Sequence, residues 1–254
     1  TSTLWIGEAR DALDTFFGRH VEMWKLHSAL WSRGYPMTGA NIGSHTVLLS
    51  GMGGIGKSLL AKQYALKFEG AYPGGVFWLR APGDDSGGSA VEVSADRRRE
   101  QLALVAEELG MSGVSATTAL RGHFSSQAKP FLWIVDDLPD GLPATEVSAW
   151  LAPHDQLGRT LFTTRSNRYE QVAARIVLHG LPVEDALALL CHRRATNSEA
   201  ERRAAVGVTE ALGCHALALR LSSSTILNYD CIEPYAVYLE ELSNPTQDEL
   251  EFAR

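Results

Sequence analysis

The sequence predicts an α/β fold: a doubly wound parallel sheet over residues 1–179, followed by a small all-helical domain over residues 180–254. Three observations predict it. An apolar run (Thr46-Val47-Leu48-Leu49), a glycine-rich loop (Gly51 to Gly56) and a stretch of strong helix formers (Leu59 to Phe68) follow one another as a strand–loop–helix unit. Further apolar runs bounded by turn residues alternate with helical stretches, the order that builds a parallel sheet covered on both faces. From about Gly180 the strand signals stop while helix signals continue.

Taken in order, Leu13 to Trp31 reads as a helix after an apolar entry at Phe16-Phe17, with Met23, Leu26 and Leu30 on one face. Arg33 to Ser44 is rich in Gly, Pro, Asn and Ser and reads as a loop. Val76-Phe77-Trp78-Leu79 follows a Pro-Gly-Gly turn as a second strand, and Ala81 to Asp96, polar throughout, reads as a mobile surface loop. Arg99 to Leu109 is a helix with Gly110 placed to end it. Phe131-Leu132-Trp133-Ile134-Val135 is a buried strand closed by Asp136-Asp137, and Thr160 to Thr164 and Ile176 to Leu178 are two more. Pro182 stands where a first helical residue belongs, with Glu184 and Asp185 in the first turn. Ser198-Glu199-Ala200-Glu201 has the form of a capping box for a helix that Gly213 ends. Ala216 to Leu227 and Pro234 to Leu242 complete the helices.

Composition narrows the function. A net charge of −7 makes the chain as a whole a poor electrostatic match for nucleic acid. Arg97-Arg98-Arg99 is one candidate for a local basic patch, and three basic residues in a polar stretch read first as a solvated face. Cys191, Cys214 and Cys231 fit no C-x-x-C spacing, and their odd number argues against a disulfide framework and for a reducing, cytoplasmic setting. No apolar run reaches membrane-spanning length, so no membrane partner is expected. The chain starts at Thr1, which suggests processing or excision.

The chemistry lies in Gly51 to Ser58, GMGGIGKS, which has the G-x-x-x-x-G-K-S form of the phosphate-binding P-loop. Its glycines let several backbone N–H groups converge on one anion; Lys57 reaches the β- and γ-phosphates, the Ser58 hydroxyl ligates Mg²⁺, and the following helix offers its positive end. A glycine-rich turn with a lone surface lysine is the alternative, but it does not require a strand before and a helix after. Asp136 and Asp137 close an apolar strand, the place of the acidic metal site: Asp136 is expected to hold Mg²⁺ with Ser58, and Asp137 to orient or deprotonate the attacking water. Unaided, the pair reads equally well as a turn. Arg165 ends the Thr160–Thr164 strand, where ligands of open α/β sheets bind, and is a candidate to meet the γ-phosphate.

Several segments, in order, resemble the nucleotide-binding core of the STAND-class P-loop NTPases of NB-ARC type, as found in NLR-like proteins. They are Phe16-Phe17-Gly18-Arg19, GMGGIGKS at Gly51 to Ser58, Val76 to Leu79, LWIVDDL at Leu132 to Leu138, TLFTTR at Thr160 to Arg165, Leu181 to Leu190, and LGCHALAL at Leu212 to Leu219. Together they run from about residue 13 to 242. The resemblance implies an ADP/ATP site on which Phe17, Gly18 and Arg19 lie toward the adenine. Gly51, Gly53, Gly54, Ile55, Gly56, Lys57, Ser58 and Leu59 would surround the phosphates, with Arg165 at the γ-phosphate and Ala216 and Leu217 on the helical side. Where the family has proline this chain has Ala216, which lacks the ring that packs near the base; His215 beside it offers a flat surface or a hydrogen bond, or is an ordinary packed histidine.

The family's winged-helix, repeat-sensor and effector domains do not fit after Leu242, so the resemblance implies a core cut from a longer signalling protein. The function it implies is a switch: ADP held between the two domains favours a closed monomer, ATP an open form that self-oligomerises, and slow hydrolysis resets it. Immunity and defence is the leading setting, and a STAND-type transcriptional regulator core is another. A small-molecule P-loop kinase needs an acceptor pocket and an arginine-bearing lid, which the helical tail does not suggest; a DNA-working motor conflicts with the acidic balance. No N-K-x-D segment is present, so adenine is preferred over guanine.

Overall fold

The computed structural model describes residues 3–8, 10, 16–31, 45–83, 89–111, 115–169 and 171–244. Six parallel strands form one sheet: β1 (Trp5–Ile6), β2 (Thr46–Ser50), β3 (Val76–Arg80), β4 (Phe131–Leu138), β5 (Gly158–Thr164) and β6 (Ala174–Val177), in the order β1-β3-β4-β5-β2-β6. Every residue of β2 and β5 is buried, as suits interior strands with helices on both faces. The crossover helices are α1 (His20–Trp31), α2 (Lys57–Lys67), α3 (Ala90–Glu108), α4 (Ala116–Gln127) and α5 (Ala144–Ala149). Four more, α6 (Val183–Leu190), α7 (Glu199–Ala211), α8 (Ala216–Ile226) and α9 (Pro234–Ser243), follow the sheet, and no strand follows residue 177 among the described residues.

The chain divides into two compact units. One comprises residues 1–14, 20–53 and 57–178; the other gathers residues 15–19 and 54–56 with 179–254. In the first, aromatic side chains fill one face of the sheet. Phe124 of α4 stacks on Phe131 at 3.7 Å between ring centroids, and Phe77 meets both Phe131 and Trp133. Trp133 is fully buried and donates its indole N–H to Trp150 O at 3.1 Å, so its one polar atom costs nothing in the core. In the second unit, Leu181, Ala186, Leu190, Ala205, Val208, Leu219, Ile226 and Tyr235 form a separate core.

Helix ends carry the expected signals. Ser198 Oγ accepts from Glu201 N at 3.1 Å, and Glu201 Oε2 accepts from Asn197 N at 2.6 Å, one residue ahead of the cap. Gly110 and Gly213 take left-handed φ of +71° and +58°. After each, paired backbone bonds close the helix: Gly110 N to Glu107 O with Met111 N to Ala106 O, and Gly213 N to Glu210 O with Cys214 N to Thr209 O.

Four expectations are corrected. The opening helix begins at His20, not Leu13, because Gly18 and Arg19 adopt positive φ; residues 11–15 lie outside the described residues. The loop expected over Ala81 to Asp96 gives way to α3 from Ala90. That turn is held by polar contacts, which hydrophobic periodicity cannot reveal: buried Ser94 accepts from Trp150 Nε1 at 2.9 Å and donates to Glu146 Oε1 at 3.1 Å. Pro182 is the cap before α6 rather than its first residue. Finally, α4, α5 and β1 were not anticipated: α4 buries only Leu120 and Phe124, α5 only Val147, and β1 has two residues. The Arg33–Ser44 loop lies outside the described residues.

Candidate functional site

The site begins where β2 stops. Ser50 is fully buried, and α2 starts at Lys57 after a six-residue loop. Two glycines of that loop are required by the backbone. Gly56 sits at φ +101°, which a side chain resists even though open space surrounds it. Gly54 sits at φ +71°, and a Cβ there would come within 2.9 Å of His215 Cε1 and Leu217 Cβ. Lys57 is 8% exposed and curls over the loop, its Nζ donating to Gly51 O and Met52 O at 2.8 Å each. The ammonium is thereby parked on the carbonyls that flank the expected phosphate position. Leu59, one turn into α2, is half-buried.

Across the sheet, Asp136 ends the buried part of β4 and is itself 8% exposed. Its Oδ1 accepts from Ser58 Oγ at 2.7 Å and from Thr163 Oγ1 at 2.5 Å. Thr163 Oγ1 in turn accepts from Asp137 N at 2.9 Å, so one hydroxyl orders both members of the acidic pair. Asp137 is exposed and strained at φ +59°, at an irregularity in the β4–β5 register between Val135 and Leu138. Its Oδ2 lies 2.7 Å from where a Cβ on Gly83 would stand, so the carboxylate leans on the segment after β3. Arg165, exposed at the end of β5, brings Nε to 3.6 Å from the Cβ position of Gly53. The first unit therefore collects Gly51, Gly53, Lys57, Ser58, Asp136 and Arg165 around one loop, with Asp137 beside them.

Sequence reasoning missed two residues here. Thr163 lies inside the T-T-R strand end, a signal that was available. Arg80 pairs in register with Asp136 across β3 and β4 and salt-bridges Glu8 at 2.6 Å. The Glu8 hydrogen bond holds its guanidinium above the usual arginine range, and the charges of Asp136 and Asp137 act in the same direction. Arg97 and Arg99 are taken up in surface ion pairs with Glu100 (3.2 Å) and Asp96, whereas Arg98 is half-buried and pairs with Glu146 of α5 at 3.5 Å.

The second unit holds the remaining candidates. Phe17 meets His192 edge-to-face at 5.3 Å. Gly18 faces Asp185, whose Oδ2 would touch a Cβ there at 2.4 Å. Arg19 is 5% exposed, and its Nη2 donates to His179 O at 2.6 Å and Ile55 O at 3.2 Å. Leu217 N donates to Gly54 O at 3.1 Å. Ala216 opens α8 without the family's proline ring; His215 caps that helix instead, its Nδ1 placed to accept from Ala218 N at 3.4 Å.

Lys57, Ser58 and Asp136 of the first unit fit a magnesium-bound phosphate group. Among the described residues no cluster of three or more His, Cys, Asp or Glu stands ready to cage a metal. A hydroxyl against one buried carboxylate, beside a lysine-bearing loop, instead suits a cation that keeps waters and shares phosphate oxygens. All three cysteines are free thiols. Among the described residues no helix is long and apolar enough to cross a membrane.

The NB-ARC domain profile matches residues 37–200. Solved structures with the same fold include a STAND protein with a tetratricopeptide repeat sensor from Pyrococcus horikoshii (19% identity, TM-score 0.51). That likeness covers 93% of this chain but 33% of the archaeal protein, so this chain spans about one third of that protein's length. PCH-2 of C. elegans aligns at 11% identity and TM-score 0.54, over 88% of this chain and 67% of that one. The ORC2 protein of Aeropyrum pernix, solved in ADPNP and ADP complexes, aligns at 16% identity and TM-score 0.50, over 92% and 70%. No protein with a curated description matches in sequence.

Proposed function

The chain belongs to the NB-ARC family and is its P-loop nucleotide-binding core, and from that premise we propose that it is an adenine-nucleotide switch with slow ATPase activity. The observation that carries the proposal is the Ser58–Asp136 hydrogen bond, set beside a P-loop lysine held on its own loop carbonyls.

Lys57 leaves Gly51 O and Met52 O for the β- and γ-phosphate oxygens, so nucleotide binding replaces two carbonyl acceptors with charged ones. Ser58 Oγ and Asp136 Oδ1 would hold the metal, and Thr163, bonded to Asp136, fixes the carboxylate's direction. A Mg²⁺ held by Ser58 and Asp136 would supply Lewis-acid neutralisation of phosphate charge. Asp137, the outward member of the pair, orients the attacking water and takes its proton. Arg165 reads the γ-phosphate. The absence of an N-K-x-D segment favours adenine.

Residues 1–179 are then the nucleotide-binding domain and 180–254 the helical lid. ADP favours a resting monomer, and ATP a form that self-associates and passes the signal to effector and sensor domains of a longer polypeptide, in a cytoplasmic defence pathway. A switch requires the two nucleotides to bind the two states with different affinities. Sedimentation of the chain with Mg·ADP and with a non-hydrolysable Mg·ATP analogue tests this. Larger species are expected with the ATP analogue alone; identical profiles with both nucleotides contradict the switch.

A further inference from the structure

The crown of the phosphate loop, Gly54–Gly56, groups with the helical unit and not with the strand and helix that flank it in sequence. Two kinds of bond account for that. Leu217 N, in the first turn of α8, donates to Gly54 O at 3.1 Å. Arg19 reaches from the segment before α1 and donates from one nitrogen to Ile55 O and to His179 O, 36 and 160 residues away in sequence. His179 is the first residue after the sheet unit. Arg19 is 5% exposed and holds a left-handed backbone at φ +61°, a conformation that costs energy for a non-glycine residue and persists only where its surroundings enforce it. Gly18 before it is fixed by Asp185 of α6, against which any side chain would collide.

We infer that Arg19 is a positioning residue that clamps the crown of the P-loop to the chain at His179. A guanidinium is well matched to this role. It is planar and always charged, and one of its nitrogens, with two N–H bonds fixed in the plane, serves both carbonyls, where a lysine ammonium has the charge but no fixed geometry. By holding Ile55 O, the clamp keeps Gly54 O in place for Leu217 N. The loop's open or closed shape is thereby tied to the backbone at residue 179, and nucleotide release requires the clamp to loosen. The geometry stands without a ligand; only the last consequence rests on the proposed nucleotide switch.

Residue-resolved amide hydrogen exchange on the nucleotide-free chain tests the clamp directly. Leu217 N–H reports the crown contact, and Leu219 N–H, which bonds His215 O within the same helix, reports whether α8 itself is intact. In Arg19→Ala, exchange at Leu217 should rise on the order of tenfold or more, the scale expected for losing charge-assisted hydrogen bonds, while Leu219 is unchanged. Arg19→Lys should fall between, because the ammonium keeps the charge and enough donors but loses the longer, planar reach that places Nη2 between the two carbonyls. Unchanged exchange at Leu217 in Arg19→Ala overturns the clamp, and so does an equal rise at Leu217 and Leu219, which reports general loosening of the helix. A fluorescent ADP should then dissociate faster from Arg19→Ala than from the parent chain. Failure of the parent chain to bind any adenine nucleotide removes the functional proposal and leaves the exchange result to decide the clamp.

Discussion

Ser58 Oγ and Asp136 Oδ1, 78 residues apart in sequence, meet at 2.7 Å. The bond joins the first turn of α2 to the end of β4 and marks where a metal ion can be shared between a hydroxyl and a carboxylate. Separate effects follow from the two adjacent acids. Asp136→Asn should weaken binding of Mg·ATP toward the level seen in EDTA, measured by titration calorimetry. Asp137→Asn should leave that affinity intact and slow phosphate release by about 10²–10⁴-fold, the usual worth of a general base. Equal effects of the two substitutions on affinity would refute the division of labour.

Arg165 stands beside Gly53 at the end of β5. Arg165→Ala should lower affinity for a non-hydrolysable ATP analogue by about 10- to 100-fold, the range for a lost charge-assisted contact, with little change for ADP. Competition titrations against a fluorescent ADP measure both. A matched loss for the two nucleotides shows that Arg165 does not sense the γ-phosphate.

Two histidines of the sheet unit make stability pH-dependent. Burial lowers the pKa of His27, which stacks on Phe68 at 4.3 Å. Burial and then the Arg159 charge lower that of His45, against the pull of its Leu30 carbonyl contact. Both are depressed in the folded state, so as pH falls below about 6.5 the unfolded chain takes up protons first. Stability is full above that value and declines through the window between it and the folded pKa values. Urea midpoints at pH 7.5 and 5.5 should differ less in His27→Gln and His45→Gln than in the parent chain. An undiminished pH difference in both variants rejects the assignment.

Ser94 is fully buried between Trp150 and Glu146. Ser94→Ala leaves the Trp150 indole N–H without its acceptor and should cost about 1–3 kcal/mol. Chemical denaturation reads this as a lower midpoint at unchanged slope. No shift in the midpoint shows that the α3–α5 contact is dispensable.

The sheet was legible wherever an apolar run met a turn residue. Phe131–Val135 and Thr160–Thr164 lie inside β4 and β5, with the strands extended by a few residues at their polar ends. The NB-ARC relationship was legible because its segments carry characteristic residues in order. Contacts made through space were not. The first turns of α3 look like a loop because Ser94 and Arg98 secure them through polar bonds to α5. The bond from Arg19 to a carbonyl 160 residues away was not legible, since nothing local links the two. His215 was weighed as a packed histidine or a surface for the base; its position as the cap of α8 depends on a ring nitrogen that sequence cannot orient.

On nucleotide binding, Lys57 is expected to leave two loop carbonyls for the phosphates. Calorimetric titration of Mg·ADP and Mg·ATP into the gently purified chain and into Lys57→Ala, with mass spectrometry of any nucleotide carried through purification, tests it most directly. The parent chain should carry bound ADP or ATP, or bind both saturably, and a Lys57→Ala protein that still melts cooperatively should lose that retention. A nucleotide-free parent chain that binds neither, or a Lys57→Ala chain that binds as tightly as the parent, would contradict the claim.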